Sequence, residues 1–143
     1  MPQAILMTAH KIWIYDVERQ TLTRMTFEGA NSFPGWSPDG RWVTFGSLRE
    51  GKYGIYRAAA DKSGPPELLL ETDAGPSPAS WTPDGKTLIY TQTKEGKTQW
   101  AAPTGGGDGK ARLFSQTSFN EEYPQLSPNG KWLAYESDES GKV

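Results

Sequence analysis

Short runs in which every second residue is large and apolar recur along the chain, bounded by glycine, proline and small polar residues. The clearest are Trp42-Val43-Thr44-Phe45, Thr87-Leu88-Ile89-Tyr90 and Trp132-Leu133-Ala134-Tyr135. A period of two marks a half-buried strand, and it places Val43 with Phe45 on one face and Leu88 with Tyr90 on another. Each run follows a turn phrase: Trp36-Ser37-Pro38-Asp39-Gly40, Trp81-Thr82-Pro83-Asp84-Gly85 and Leu126-Ser127-Pro128-Asn129-Gly130. Ser or Thr opens the turn, Pro presets φ at the next position, and Asp or Asn tolerates the third. Gly then supplies the left-handed conformation that closes a short hairpin. Positive φ is therefore expected at Gly40, Gly85 and Gly130.

The phrases begin at positions 36, 81 and 126, a constant interval of 45 residues. A strand–turn–strand unit repeating every 40–45 residues reads as propeller blades. The fold class is all-β, with blades of four antiparallel strands A to D and about three blades per chain, half of a six-bladed ring. One complete blade, 29–73, has strands Phe33–Ser37, Arg41–Ser47, Tyr53–Ala58 and Glu67–Thr72. The second, 74–118, has Ala79–Thr82, Thr87–Thr93, Thr98–Ala102 and Arg112–Gln116. The ends are partial blades. Residues 1–28 hold a C strand over Lys11–Asp16, a D strand over Thr21–Phe27 and a remnant of B at Ala4–Thr8. Residues 119–143 hold A at Pro124–Ser127 and B at Lys131–Ser137. One alternating set among Trp42, Phe45, Leu88, Tyr90, Leu133 and Tyr135 is expected between blades. Trp13, Tyr56 and Trp100 take equivalent roles on strand C.

Composition narrows the function. The 143 residues carry a formal net charge of −2 with scattered Lys and Arg, so no basic face for nucleic acid is expected. Cysteine is absent, which excludes disulfides, thiol catalysis and thiolate metal sites. No stretch reaches the ~20 apolar residues of a membrane-spanning helix. Ala4-Ile5-Leu6-Met7 is too short for the apolar region of a secretion leader and has no basic segment ahead of it.

Candidate chemistry is sparse. His10 is the single histidine, and one imidazole with no supporting constellation assembles neither a catalytic set nor a metal site. Gly105-Gly106-Gly107-Asp108-Gly109-Lys110 lacks the Lys-Ser/Thr ending and following helix of a phosphate loop, and reads as a hairpin loop. Asp39, Asp84 and Asn129 offer one side chain per turn, too few for calcium. The segments entering the innermost strands are more suggestive, because they line one mouth of the central channel, where concave sites form. Asn31, Phe33, Asn120, Glu121 and Tyr123 are the candidate channel-mouth residues. No enzyme activity, cofactor or metal is expected.

The phrases Trp36-Ser37-Pro38-Asp39-Gly40-Arg41-Trp42 and Ser127-Pro128-Asn129-Gly130-Lys131-Trp132-Leu133-Ala134-Tyr135, with Ile12-Trp13-Ile14-Tyr15-Asp16 before them, resemble the TolB-type, WD-like propeller repeat. The resemblance runs over about residues 11 to 143. It is similar in particular to propeller halves attached to some bacterial Ser/Thr kinases. It implies a six-bladed ring serving as a non-catalytic binding or scaffold platform, with a periplasmic or extracytoplasmic parent. The alternative it leaves is a propeller fragment of a larger hydrolase or kinase. Three blades do not close a ring alone. The expected partner is therefore a second copy, giving a homodimer of six blades in which Ala4–Thr8 and Lys131–Ser137 compete for one strand-B slot and the loser is displaced or forms an added edge; a protein or peptide ligand is expected, and neither nucleic acid nor membrane insertion.

Overall fold

A computed structural model describes residues 10–93, 97–103, 112–115 and 119–140. The expected remnant strand at Ala4–Thr8, the glycine-rich segment 105–110 and the side chain of Trp100 lie outside the described residues. The described chain is all β, in four antiparallel sheets. The first pairs β1 (Trp13–Asp16) with β2 (Thr21–Arg24). The second is β3 (Ala30–Trp36), β4 (Trp42–Arg49), β5 (Lys52–Ala59) and β6 (Glu67–Thr72), in that order. The third repeats it with β7 (Pro76–Trp81), β8 (Thr87–Thr93), β9 (Lys97–Pro103) and β10 (Arg112–Ser115). The fourth pairs β11 (Glu121–Leu126) with β12 (Leu133–Ser137). Each is a meander of sequential hairpins, one propeller blade or part of one.

The three repeated turns share one hydrogen-bond pattern. In the first, the Ser37 hydroxyl donates to Asp39 Oδ1 at 2.6 Å and accepts from the Trp42 amide at 3.0 Å. Asp39 Oδ1 also accepts from the Arg41 amide at 3.0 Å, and the Gly40 amide donates to the Ser37 carbonyl at 2.9 Å. Thr82, Asp84, Lys86 and Thr87 repeat this set, as do Ser127, Asn129, Lys131 and Trp132. The third position is thus an acceptor that holds the hydroxyl and the backbone together. The hydroxyl beside each, then the backbone amide, holds the Asp39 and Asp84 carboxyls below the ordinary carboxylate range.

Gly40, Gly85 and Gly130 have φ of 69°, 70° and 73°, as the hairpin requires. Their surroundings differ. A Cβ on Gly85 meets nothing within 4 Å, whereas one on Gly130 would stand 2.9 Å from Cδ of Pro83, in the preceding blade's turn. Gly85→Ala is expected to cost about 1 kcal/mol through backbone strain alone. Gly130→Ala should cost more, because it also pushes two blades apart. Urea midpoints of the two variants check this, and equal losses would mean that the Gly130–Pro83 contact contributes nothing.

Blades meet through two apolar clusters. Val43, Phe45 and Ala58 pack on Ile12 and Met25, with Ile14 and Tyr56 at the margin, between the first and second sheets. Phe45 and Tyr56 stack at 6.2 Å between ring centroids. On the opposite face of the second sheet, Ile55 meets Leu88 and Tyr90 of the third, with Leu70 and Trp81 beside them. Burial there pushes the Tyr90 hydroxyl up to about 12. The alternating set Phe45, Leu88 and Tyr90 is buried as the pattern predicts, while Trp42 is half-buried with the Arg57 guanidinium 4.1 Å over its ring. The end strands depart from the expectation. Trp13 is 51% exposed and Tyr135 48% exposed, and Leu133 is half-buried. The reason is positional. Ile12 and Ile14 face the second sheet, so Trp13 and Tyr15 point to the other side of β1, where no described blade stands.

Candidate functional site

The first strands of the complete blades and of the last pair, β3, β7 and β11, lie against one another and form one wall. All three begin three residues earlier than expected, at Ala30, Pro76 and Glu121. A bulge explains it. Between Ser32 and Gly35, between Pro78 and Ser80, and between Glu122 and Gln125, each inner strand inserts one extra residue relative to its neighbour. Bulges of this kind bend a strand and re-aim its side chains. The prolines that hid the strands from pattern reading (Pro34, Pro76, Pro78, Pro124) are tolerated because an inner strand is a sheet edge.

At the bulges Phe33 and Tyr123 adopt φ of 55° and 52°, the left-handed region that bulky residues rarely enter. They occupy the same repeat position in the first and third copies, and Pro78 stands there in the second. Both aromatics are turned outward, Phe33 51% and Tyr123 65% exposed. They line a cavity of about 820 Å³ along the wall formed by β3, β7 and β11, together with Pro34, Pro76, Pro78 and Pro124. The ionisable side chains on its lining are His10, Glu122, Tyr53 and Tyr123, so the wall is nearly neutral and rich in aromatic and proline surface. Strain of about 1–3 kcal/mol per such residue persists only where surrounding structure imposes it, and it clusters at sites of recognition.

The five candidate residues separate into two groups. Asn31, Phe33 and Tyr123 come together on the cavity; Asn120 and Glu121 are not on its lining. Asn31 is 1% exposed and ties the fold together. Its Nδ2 lies 2.9–3.2 Å from four acceptors: the carbonyls of His10, Glu28 and Gly29, and Thr26 Oγ1. Its Oδ1 accepts from the Ser47 hydroxyl at 2.9 Å. Those bonds clamp the end of the first sheet onto β3 and β4. Glu121, at the equivalent position, is likewise buried. Asn120 is exposed, its amide and Nδ2 each donating to the Asp138 carboxylate at 2.8 Å across the β11–β12 pair. Sequence reasoning missed Pro76 and Pro78 as wall residues; their repeat positions, matching Asn31 and Phe33, were the available signal.

Among the described residues no group of three or more His, Cys, Asp or Glu side chains could hold a metal ion. No helix among them is long and apolar enough to cross a membrane.

A family model, the TolB beta propeller domain, matches residues 6–143. The chain belongs to the TolB β-propeller family. Solved TolB structures are similar in fold. One from Agrobacterium tumefaciens superposes with a TM-score of 0.71 at 24% identity, over 82% of this chain and 42% of that one. TolB from Acinetobacter baumannii gives 0.71 at 24%, over 87% and 31%. The isopeptidase AtxE2 reaches 0.50 at 17% identity over 68% of this chain and 19% of its own. In sequence, a 53-residue stretch is 43% identical to the uncharacterized protein Atu1656 of Agrobacterium fabrum, covering 36% of this chain and 18% of that protein. This TolB-family chain thus spans less than half the length of each relative.

Proposed function

We propose that this chain is a binding module of TolB type without catalytic machinery. Its ligand is a protein or peptide segment held on the wall of β3, β7 and β11, and two copies complete a six-bladed ring around that wall. The exposed pair Phe33 and Tyr123, held at left-handed φ on a nearly neutral wall, carries the reading. Flat aromatic rings contribute large contact area at small entropic cost, and a neutral wall suits uncharged aromatic, aliphatic or proline-rich segments. Membership of the TolB family supports a platform rather than an enzyme. The likeness to the isopeptidase is one of fold.

Selection of phage-displayed peptides on the folded protein tests this. Peptides recovered on the wild type should lose about tenfold or more in affinity on Phe33→Ala and on Tyr123→Ala, the scale of a central aromatic anchor. Selected peptides that bind both variants as they bind the wild type would place the binding surface elsewhere.

A further inference from the structure

The wall formed by β3, β7 and β11 has relief. β7 stands between the other two, and Phe33 on β3 and Tyr123 on β11 project on either side of it, both at left-handed φ. Between the rings β7 lies low. Pro76 and Pro78 are buried and Ser77 and Ala79 half-buried, so that part of the lining carries nothing larger than a proline ring. The result is a trough along β7 with an aromatic ridge on each side. Its backbone is short of donors. Pro34, Pro76, Pro78 and Pro124 have no amide hydrogen, and all four sit on strands that are sheet edges. Side-chain donors on the lining include the Tyr123 hydroxyl, the Gln125 carboxamide and the Ser77 hydroxyl. Among the described residues the lining carries one acidic side chain, Glu122, and no Asp, Lys or Arg.

Resting on the reading that a peptide segment is held on this wall, we propose that the segment is a polyproline II helix, proline-rich and free of acidic residues, seated along β7 between Phe33 and Tyr123. An added β-strand takes its affinity from main-chain hydrogen bonds to a sheet edge, and this edge lacks donors at four positions. A polyproline II helix needs no such ladder. Its prolines bring no N–H to leave unpaired, and its carbonyls can be met by side-chain donors. Grooves between aromatic rings grip such segments ring against ring. Both surfaces are fixed before they meet. The rings stand on backbone held at φ of 55° and 52°, and the segment's φ is locked by its own prolines, so little conformational freedom is lost on contact. Charge selects in the same direction. An acidic segment would meet Glu122 with no Lys or Arg on the lining to balance it, whereas a neutral or basic one would not be repelled.

Fluorescence polarisation with labelled peptides of about ten residues tests this on the full chain. One peptide is all proline, one alternates Thr and Val, and one alternates Gly and Ser. The proline peptide should bind about tenfold or more tighter than either of the others, and should lose about tenfold on Phe33→Ala and on Tyr123→Ala. Phe33→Tyr keeps the ring and should bind it as the wild type does. Circular dichroism checks that each variant is folded. Where an alanine variant unfolds, Phe33→Leu, which keeps bulk without the flat ring, should show the same loss. Equal or tighter binding of the Thr-Val peptide, with loss on both ring variants, overturns the polyproline conformation and leaves the wall as the binding surface. Proline-peptide binding that both variants leave unchanged overturns the proposal and the wall together. No saturable binding of the proline peptide up to millimolar concentration also overturns the proposal, while phage-selected peptides that depend on both rings would still uphold the wall.

Discussion

Phe45→Ala is expected to destabilise the protein by about 3–5 kcal/mol, the range for removing a buried aromatic from a close-packed core. Phe45 is wholly buried and sits in the middle of β4, stacked on Tyr56 and packed with Ile12, Met25, Val43 and Ala58. Its cluster joins the first sheet to the second, so the loss removes a contact between blades as well as one within a blade. In a repeat array such a contact belongs to the nearest-neighbour coupling that makes single units stable. A typical domain has only about 5–15 kcal/mol in total, so the variant should unfold at a far lower urea concentration. Phe45→Leu keeps most of the volume and should cost much less. Urea unfolding followed by tryptophan fluorescence checks both. A loss under about 1 kcal/mol for Phe45→Ala would show that the cluster collapses around the cavity without penalty.

Gly46→Ala should weaken the other seam. A Cβ at this position would lie 2.5 Å from the backbone oxygen of Pro76, at the start of β7. Backbone cannot swing aside as a side-chain tip can, so the third sheet must shift as a unit. Overpacking of this kind costs about 1–3 kcal/mol and occasionally more. The displacement also strips Ile55 from Leu88 and Tyr90 across the same seam. Gly64→Ala is the matched control, since a Cβ there meets nothing within 4 Å. Calorimetry should show a marked fall in Tm for Gly46→Ala and little change for Gly64→Ala. Equal behaviour would mean that β4 and β7 do not approach as closely as described.

What the sequence revealed and what it hid follow from how local each feature is. The repeated turns are legible because every partner lies within six residues: Ser37, Asp39, Gly40, Arg41 and Trp42 hold one another without help from the rest of the chain. The B strands are legible because Val43 and Phe45, or Leu88 and Tyr90, alternate. The inner strands are harder. A bulge breaks the period of two at Phe33 and Tyr123, and the prolines beside them imitate loop sequence. Gly46 leaves no trace in the repeat at all, since its equivalent 45 residues on is Thr91; its need for no side chain comes from Pro76, thirty residues away. Asn31 was legible as a polar residue near the channel, but not as one whose Nδ2 meets the His10 carbonyl, brought in by folding from 21 residues away, beside the local acceptors of Thr26, Glu28 and Gly29.

The order of residues at the bulge position has a consequence for counting. Along one chain the inner wall reads Phe33, Pro78, Tyr123, so neighbouring blades present different surfaces at that level. In a ring of two copies that triplet occurs twice around the pore, and the symmetry a ligand meets is two-fold, though the blades number six. A segment threaded along the axis has direction and no two-fold symmetry of its own. Once seated, it occupies the shared passage and leaves no second equivalent place. The ring proposed above would then take one ligand per pair of chains, and that ligand would make two identical chains inequivalent.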